Sequence, residues 1–188
     1  MAPPRRQSLA SRLLVTYAIT VVLVLGVLGF FVERSAREVL LREVEHGLGE
    51  QARLLSASLP SDQGEMDALV SRLGEHLDAR VTVVDRDGTV LADSHVDPAE
   101  MENHASRPEI RAALDGETGT DRRVSESTGF PQTYVAVPTE SGWAVRLSLP
   151  ENVVNEPVGE FRRDLVALVA VAAAIGVLVV AFVARRLA

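Results

Sequence analysis

RVTVVDRDGTVLADS, residues 80–94, decides the fold. β-Branched residues run on both sides of Asp85-Arg86-Asp87-Gly88. That pattern reads as two strands joined by a tight turn, with Gly88 supplying the positive φ the turn requires. Toward the C-terminus, TYVAVPT (133–139) and WAVRLSLP (143–150) flank Glu140-Ser141-Gly142 in the same way and predict a second hairpin. In its second strand Trp143, Val145, Leu147 and Leu149 recur at period two and share one face, which reads as core.

Between the hairpins lies MENHASRPEIRAALDGETG, residues 101–119. Ser106 and Glu109 have capping-box spacing, Pro108 falls in a first turn, and Gly116 closes the helix behind Leu114. Ile110, Ala113 and Leu114 form the apolar stripe of this short helix. The polar TDRRVSES that follows suits an edge strand. Upstream, residues 33–60 hold Leu41, Val44, Leu48 and Leu55 at heptad-like spacing with no proline before Pro60, which predicts a long helix weakened by Gly47 and Gly49. That stripe serves either packing against its own domain or contact with a second copy. A second helix is predicted over Glu65–Leu77. The expected fold is α+β, an antiparallel sheet of about five strands flanked by long helices.

Two apolar runs enclose this region. LLVTYAITVVLVLGVLGFFV (13–32) and LVALVAVAAAIGVLVVAFVA (165–184) are each long enough to cross a bilayer as a helix. The first is too long for a signal-peptide core and is followed by no small-residue cleavage site. A helix starting near Glu151 should lead into the second, kinked or interrupted at Pro157. Arg5, Arg6 and Arg12 precede the first run, and Arg185 and Arg186 follow the second. The positive-inside bias therefore puts both termini in the cytoplasm, although Arg162 and Arg163 lie on the opposite side. The expected organisation is a cytoplasmic tail 1–12, a membrane helix 13–32, an extracytoplasmic domain 33–164, a membrane helix 165–184 and a cytoplasmic stub 185–188, in a two-pass protein of the cell membrane.

Residues 33–164 hold 14 arginines and all 26 acidic residues, a formal charge of −12, while the rest of the chain carries +5. Nucleic acid is excluded as a partner for such a surface. The chain has no cysteine, which removes disulfides, thiolate metal sites and cysteine nucleophiles.

The order of RVTVVDRDGTVLADS, DPAEMENHASRPEIRAALDGETG, TYVAVPT and WAVRLSLP resembles the outer sensor region of phosphate-regulon-type sensor histidine kinases, over about residues 36–188. The resemblance implies a PAS-like or Cache-like outer domain, a homodimer, and a cytoplasmic HAMP linker followed by phosphoacceptor and ATP-binding domains that signal to a response regulator. ARRLA would be the first residues of that linker. None of His46, His76, His95 and His104 has a phosphoacceptor context and no ATP lid is present, so phosphotransfer, with its ATP and magnesium, belongs to a kinase half absent from this chain. No cofactor is expected here. The rival readings are the input module of a chemoreceptor or of a cyclic-dinucleotide enzyme, and a stand-alone two-span membrane adaptor.

Three constellations are candidate sites. Arg107, Arg111, Arg123, Tyr134 and Arg146 lie on the short helix and the strands, where arginine forks suit a carboxylate or phosphate ligand; surface ion pairing is the alternative. Asp93, His95, Asp97, Glu102 and His104, with Glu100 among them, offer oxygen and imidazole groups for a divalent cation or a proton, against a solvated loop with local caps. Ala170, Ala172, Ala174 and Gly176 form small-xxx-small pairs for helix packing in the membrane, whereas Gly26 and Gly29 have the wrong spacing for that motif.

Overall fold

The computed structural model describes residues 9–125 and 129–186. Arg5 and Arg6 of the basic tail, the last residues of the stub and the end of TDRRVSES lie outside the described residues. Four helices and five strands follow in the order α1 (Leu9–Ser56), α2 (Gln63–His76), β1 (Arg80–Val84), β2 (Val90–Asp93), α3 (Pro108–Leu114), β3 (Gly119–Val124), β4 (Pro131–Pro138), β5 (Ala144–Pro150) and α4 (Asn152–Arg186), with a 3-10 turn at Pro98–Glu100. The chain divides into two compact units, residues 39–154 and the two ends, 1–38 with 155–188.

The central unit is built on one antiparallel sheet of strand order β2-β1-β5-β4-β3. Both predicted hairpins form, and Gly88 and Gly142 take positive φ at their turns, 89° and 80°. β3 is an edge strand, as its polar sequence predicts. Period-two alternation sends Val81 and Val83 of β1, Val135 and Val137 of β4, and Val145 and Leu147 of β5 to one face, where they meet Leu48, Ala52 and Leu55 of α1 and Met66 and Val70 of α2. The heptad-like stripe of α1 thus packs on its own domain: Leu41 is buried, Leu48 and Leu55 enter this core, and Val44 packs against it. Arg122 on β3 donates to Glu45 on α1 at 2.8 Å and fixes the helix along the sheet edge.

On the opposite face the shorter α3 lays Ile110 and Ala113 over Val84, Val90, Ala136 and Ala144. The capping box expected at its start does not form. Arg107 is the N-cap residue with no side-chain cap bond, and Glu109 is buried beneath the helix instead. The C-terminal end follows expectation, with Gly116 at φ 92° and its N–H donating to the Ala113 carbonyl.

In the second unit α1 and α4 run antiparallel, since Gly29 meets Leu165 while Ala18 meets Gly176. Both helices are long and apolar enough to cross a membrane. Tyr17, Leu23, Phe30, Phe31, Leu168, Leu178 and Phe182 are exposed on their outer surfaces. α4 continues through Pro157, so the helix expected to be kinked or interrupted there is not interrupted. Arg162, on the side of α4 that argued against the orientation, lies 3.8 Å from Glu33 of α1.

Candidate ligand cavity

Antiparallel register sets which side chains share the α3 face of the sheet, because directly opposed residues project to the same side. One row runs Asp93, Thr82, Arg146, Ala136, Gly119 across all five strands, and a second runs Arg80, Ser148, Tyr134, Asp121. The first face of the sheet is apolar, whereas this one is apolar only beneath α3 and polar beyond it. Where α3 stops covering it, the strands and the segment from Val96 to Arg107 enclose a cavity of about 300 Å³.

Its floor is a connected ionic network. Glu109 is 0 % exposed and takes a bidentate pair from Arg123 at 2.8 and 2.9 Å, with Arg146 Nη1 at 3.4 Å. Arg123 also bonds Asp121. Arg146, 4 % exposed, donates to Thr82 Oγ1 at 3.1 Å. Thr82 donates to Asp93 at 2.8 Å, and Asp93 accepts from Arg80 Nε at 3.0 Å. Tyr134 lies between two guanidinium groups, with Arg123 4.0 Å and Arg146 5.3 Å from its ring centroid.

Burial pushes the Glu109 carboxyl up, but the Arg123 hydrogen bond, its own backbone amide and the Arg123 and Arg146 charges outweigh that, and its pKa falls below the ordinary value. Arg123 is raised: its pairs with Glu109 and Asp121 overcome desolvation. Arg146 is lowered, first by burial and then by Arg80 and Arg123, against the pull of Glu109 and Tyr134. His104 is lowered to about 4 by burial and by the Arg146 and Arg107 charges. Two residues that line this cavity carry a buried atom with no hydrogen-bond partner among the described residues, Arg146 at Nε and His104 at Nδ1. Thr133 Oγ1 and Ser148 Oγ, on the neighbouring strands, are buried without a partner as well, although neither residue lines the cavity.

Four of the five anion-site residues expected from sequence, Arg107, Arg123, Tyr134 and Arg146, line this one cavity. Arg111 does not; it stands one helical turn beyond Arg107. Arg80, Ser125 and Met101 line it unforeseen. Arg80 was legible: in RVTVV it alternates with the core residues Val81 and Val83, which sends it and Thr82 to the polar face.

The cation constellation is taken apart. Asp93 is committed to Arg80, Thr82 and the amides of His95 and Val96, Asp97 caps the 3-10 turn, and His95 pairs with Ser94. Among the described residues no group of three or more His, Asp or Glu side chains is placed to hold a metal. Glu102 and His104 belong to the cavity instead. In the helical unit Ala172 and Gly176 are half-buried and line a groove with Ala18, while Ala170 and Ala174 are exposed. Gly29, set aside for its spacing, is buried, and a Cβ there would run into Leu165.

A sequence profile described as single Cache-like matches residues 44–143. No curated protein matches the chain. The sensor domain of the V. cholerae histidine kinase DctB superposes with a TM-score of 0.53 at 17 % identity, over 68 % of this chain and 55 % of that one. The B. subtilis YkuI protein, which has an EAL domain and was solved with c-di-GMP and calcium, gives a TM-score of 0.47 at 16 % identity, over 64 % of this chain and 35 % of that one. The chain therefore spans about half the length of the first and about a third of the second. At these identities the likeness to DctB is one of fold.

Proposed function

The chain belongs to the single Cache-like family, and from that premise we propose that it is the extracytoplasmic input region of a two-component sensor histidine kinase of the phosphate-regulon type, held in the cell membrane by residues 13–32 and 165–184. A small anion entering the cavity is the stimulus. Arg146 carries this reading: a buried arginine whose Nε points no donor at the protein is suited to receive a carboxylate or phosphate oxygen. The anion adds a negative charge beside the Glu109 pair, so Arg146, Arg123 and Glu109 redistribute, and the two arrangements of the network are the two states a ligand selects between. The working receptor is a homodimer whose cytoplasmic kinase module uses ATP and magnesium and phosphorylates a response regulator.

The test is a chimera of residues 1–188 with a cytoplasmic histidine-kinase module, reconstituted in vesicles. Phosphotransfer is followed while a panel of small carboxylates and inorganic phosphate is supplied at the outer face. One or more anions should change phosphotransfer several-fold in the parent and not in Arg146→Gln at equal membrane levels. Output indifferent to every anion, or reporter fusions placing Gly129 in the cytoplasm, would overturn the proposal.

A further inference from the structure

With no cysteine in the chain, its sulfur chemistry rests on three methionines, Met1, Met66 and Met101. Met1 lies outside the described residues, and Met66 is sealed in the first core at 1 % exposure. Met101 is placed differently. It is half-buried, lines the cavity, and packs against the apolar cluster beneath α3. Its N–H donates to the Pro98 carbonyl at 3.1 Å, which closes the 3-10 turn and fixes where the side chain starts. The thioether sulfur accepts from Arg80 Nη2 at 3.8 Å. Arg80 is itself anchored, its Nε 3.0 Å from both oxygens of the buried Asp93 carboxylate. A thioether is a weak acceptor and a sulfoxide oxygen a much better one, so oxidation turns this contact into a charge-assisted hydrogen bond.

We propose that Met101 is an oxidation site, converted by a two-electron oxidant such as hydrogen peroxide to a sulfoxide whose oxygen accepts from Arg80. The sulfur lone pair attacks one peroxide oxygen, and the S–O bond forms as the O–O bond breaks. The proton of the transferred oxygen leaves with the departing hydroxide as water, so sulfur gives up two electrons and the peroxide takes them. An oxidant that small has ample room in a cavity of about 300 Å³. The observed separation also suits the product. A hydrogen bond of about 2.9 Å to an oxygen on that sulfur, bent at the oxygen, holds nitrogen and sulfur about 4 Å apart, so little has to move. The sulfoxide is polar where the thioether is apolar, which loosens the side chain from the cluster under α3 and ties it to Arg80. None of this requires an anion in the cavity.

Hydrogen peroxide treatment of the whole chain in lipid nanodiscs, quenched at intervals and followed by peptide mass spectrometry, tests the site. Met101 should gain one oxygen about tenfold or more faster than Met66 while the chain is folded, and the two rates should converge in denaturant. Met66 oxidised as fast as Met101 in the folded chain, or Met101 unreacted, would overturn the proposal. The Arg80 contact is tested by the urea midpoint before and after oxidation in the parent chain, Arg80→Lys, Arg80→Gln and Met101→Leu. Peroxide should lower the midpoint of Arg80→Lys at least about twice as far as that of the parent, because the lysine nitrogen stays with Asp93 and leaves the sulfoxide without its donor. Arg80→Gln should behave likewise, and Met101→Leu should show no shift. Equal shifts in the parent and in either folded Arg80 variant would overturn the sulfoxide pairing. A shift in Met101→Leu as large as the parent's would assign the effect to another residue and overturn it as well.

Discussion

Glu109 Oε1 lies 3.4 Å from Arg146 Nη1, the first on α3 and the second in the middle of β5, 37 residues apart in the chain and both sealed from solvent. Removing the carboxylate leaves a buried guanidinium with an uncompensated charge, a change that typically costs about 3–5 kcal/mol. Glu109→Ala should therefore lower the stability of the central unit by roughly that amount, read from urea denaturation followed by the fluorescence of Trp143, the single tryptophan of the chain. A loss below about 1 kcal/mol would show that the pair is solvated.

Acid should destabilise the same unit in two overlapping stages. His104 titrates at about 4 in the folded state against 6.5 ordinarily, so between those values the unfolded chain binds the proton more readily and stability declines as pH drops. Glu109 is also depressed, from 4.5, so its contribution is complete above that value and is lost as pH falls through the lower folded one. Stability should be level above about pH 6.5 and decline continuously below it. His104→Gln should remove the slope between about 6.5 and 4.5 and keep the acid limb. An unchanged upper slope in that variant would assign it to another group.

Gly119 on β3 lies beneath α3, and a Cβ there would stand 2.7 Å from Glu109 Cα and 2.8 Å from its carbonyl carbon. Backbone cannot rotate out of the way, so Gly119→Ala must lift α3 from the sheet. Overpacking of this kind costs about 1–3 kcal/mol, and here it should also open the cavity. The expected result is a lower denaturation midpoint together with weaker binding of any acid that the parent chain binds. Full retention of both would mean that α3 is not seated on β3.

A cysteine-free chain makes the helical unit directly testable. The Cβ position of Gly176 is 3.9 Å from Ala18 Cβ, within the range a disulfide bridges. Ala18→Cys combined with Gly176→Cys should cross-link within one chain on mild oxidation, seen as a monomer of altered mobility on a non-reducing gel. Gly26→Cys with Gly176→Cys should not, as nothing approaches Gly26 within 4 Å. Cross-linking that is equal for the two pairs, or solely between chains, would place α4 against a different face.

The hairpins, the edge strand and the apolar stripe of α1 were legible because they rest on local chemistry, glycine at a positive φ and apolar residues at period two or seven, whereas the partner of that stripe was left open. The cavity was legible in part for the same reason, since Arg146 alternates with Val145 and Leu147 and must face away from the core. Glu109 was misread because the capping box is a local rule, whereas its actual partners stand 14 and 37 residues away. Gly29 was missed because spacing motifs describe one helix, and its role depends on Leu165 of another. Asp93 was assigned to a cation site from its neighbours in sequence, while register hands it Arg80 and Thr82 from the adjoining strand.

β5 ends at Pro150 and α4 begins at Asn152, leaving Glu151 alone between them, and its N–H donates to the Pro131 carbonyl at 3.0 Å. A joint of one residue leaves only the φ and ψ of Glu151 between the two elements. A loop of six or eight residues would absorb more of a small movement of the strand than this joint can. Arg146 sits on that strand about 13 Å from Pro150 by the rise of an extended chain. Arg146, proposed to meet the anion, and the first residues of α4 are thus separated by four strand residues and one joint, all within the central unit.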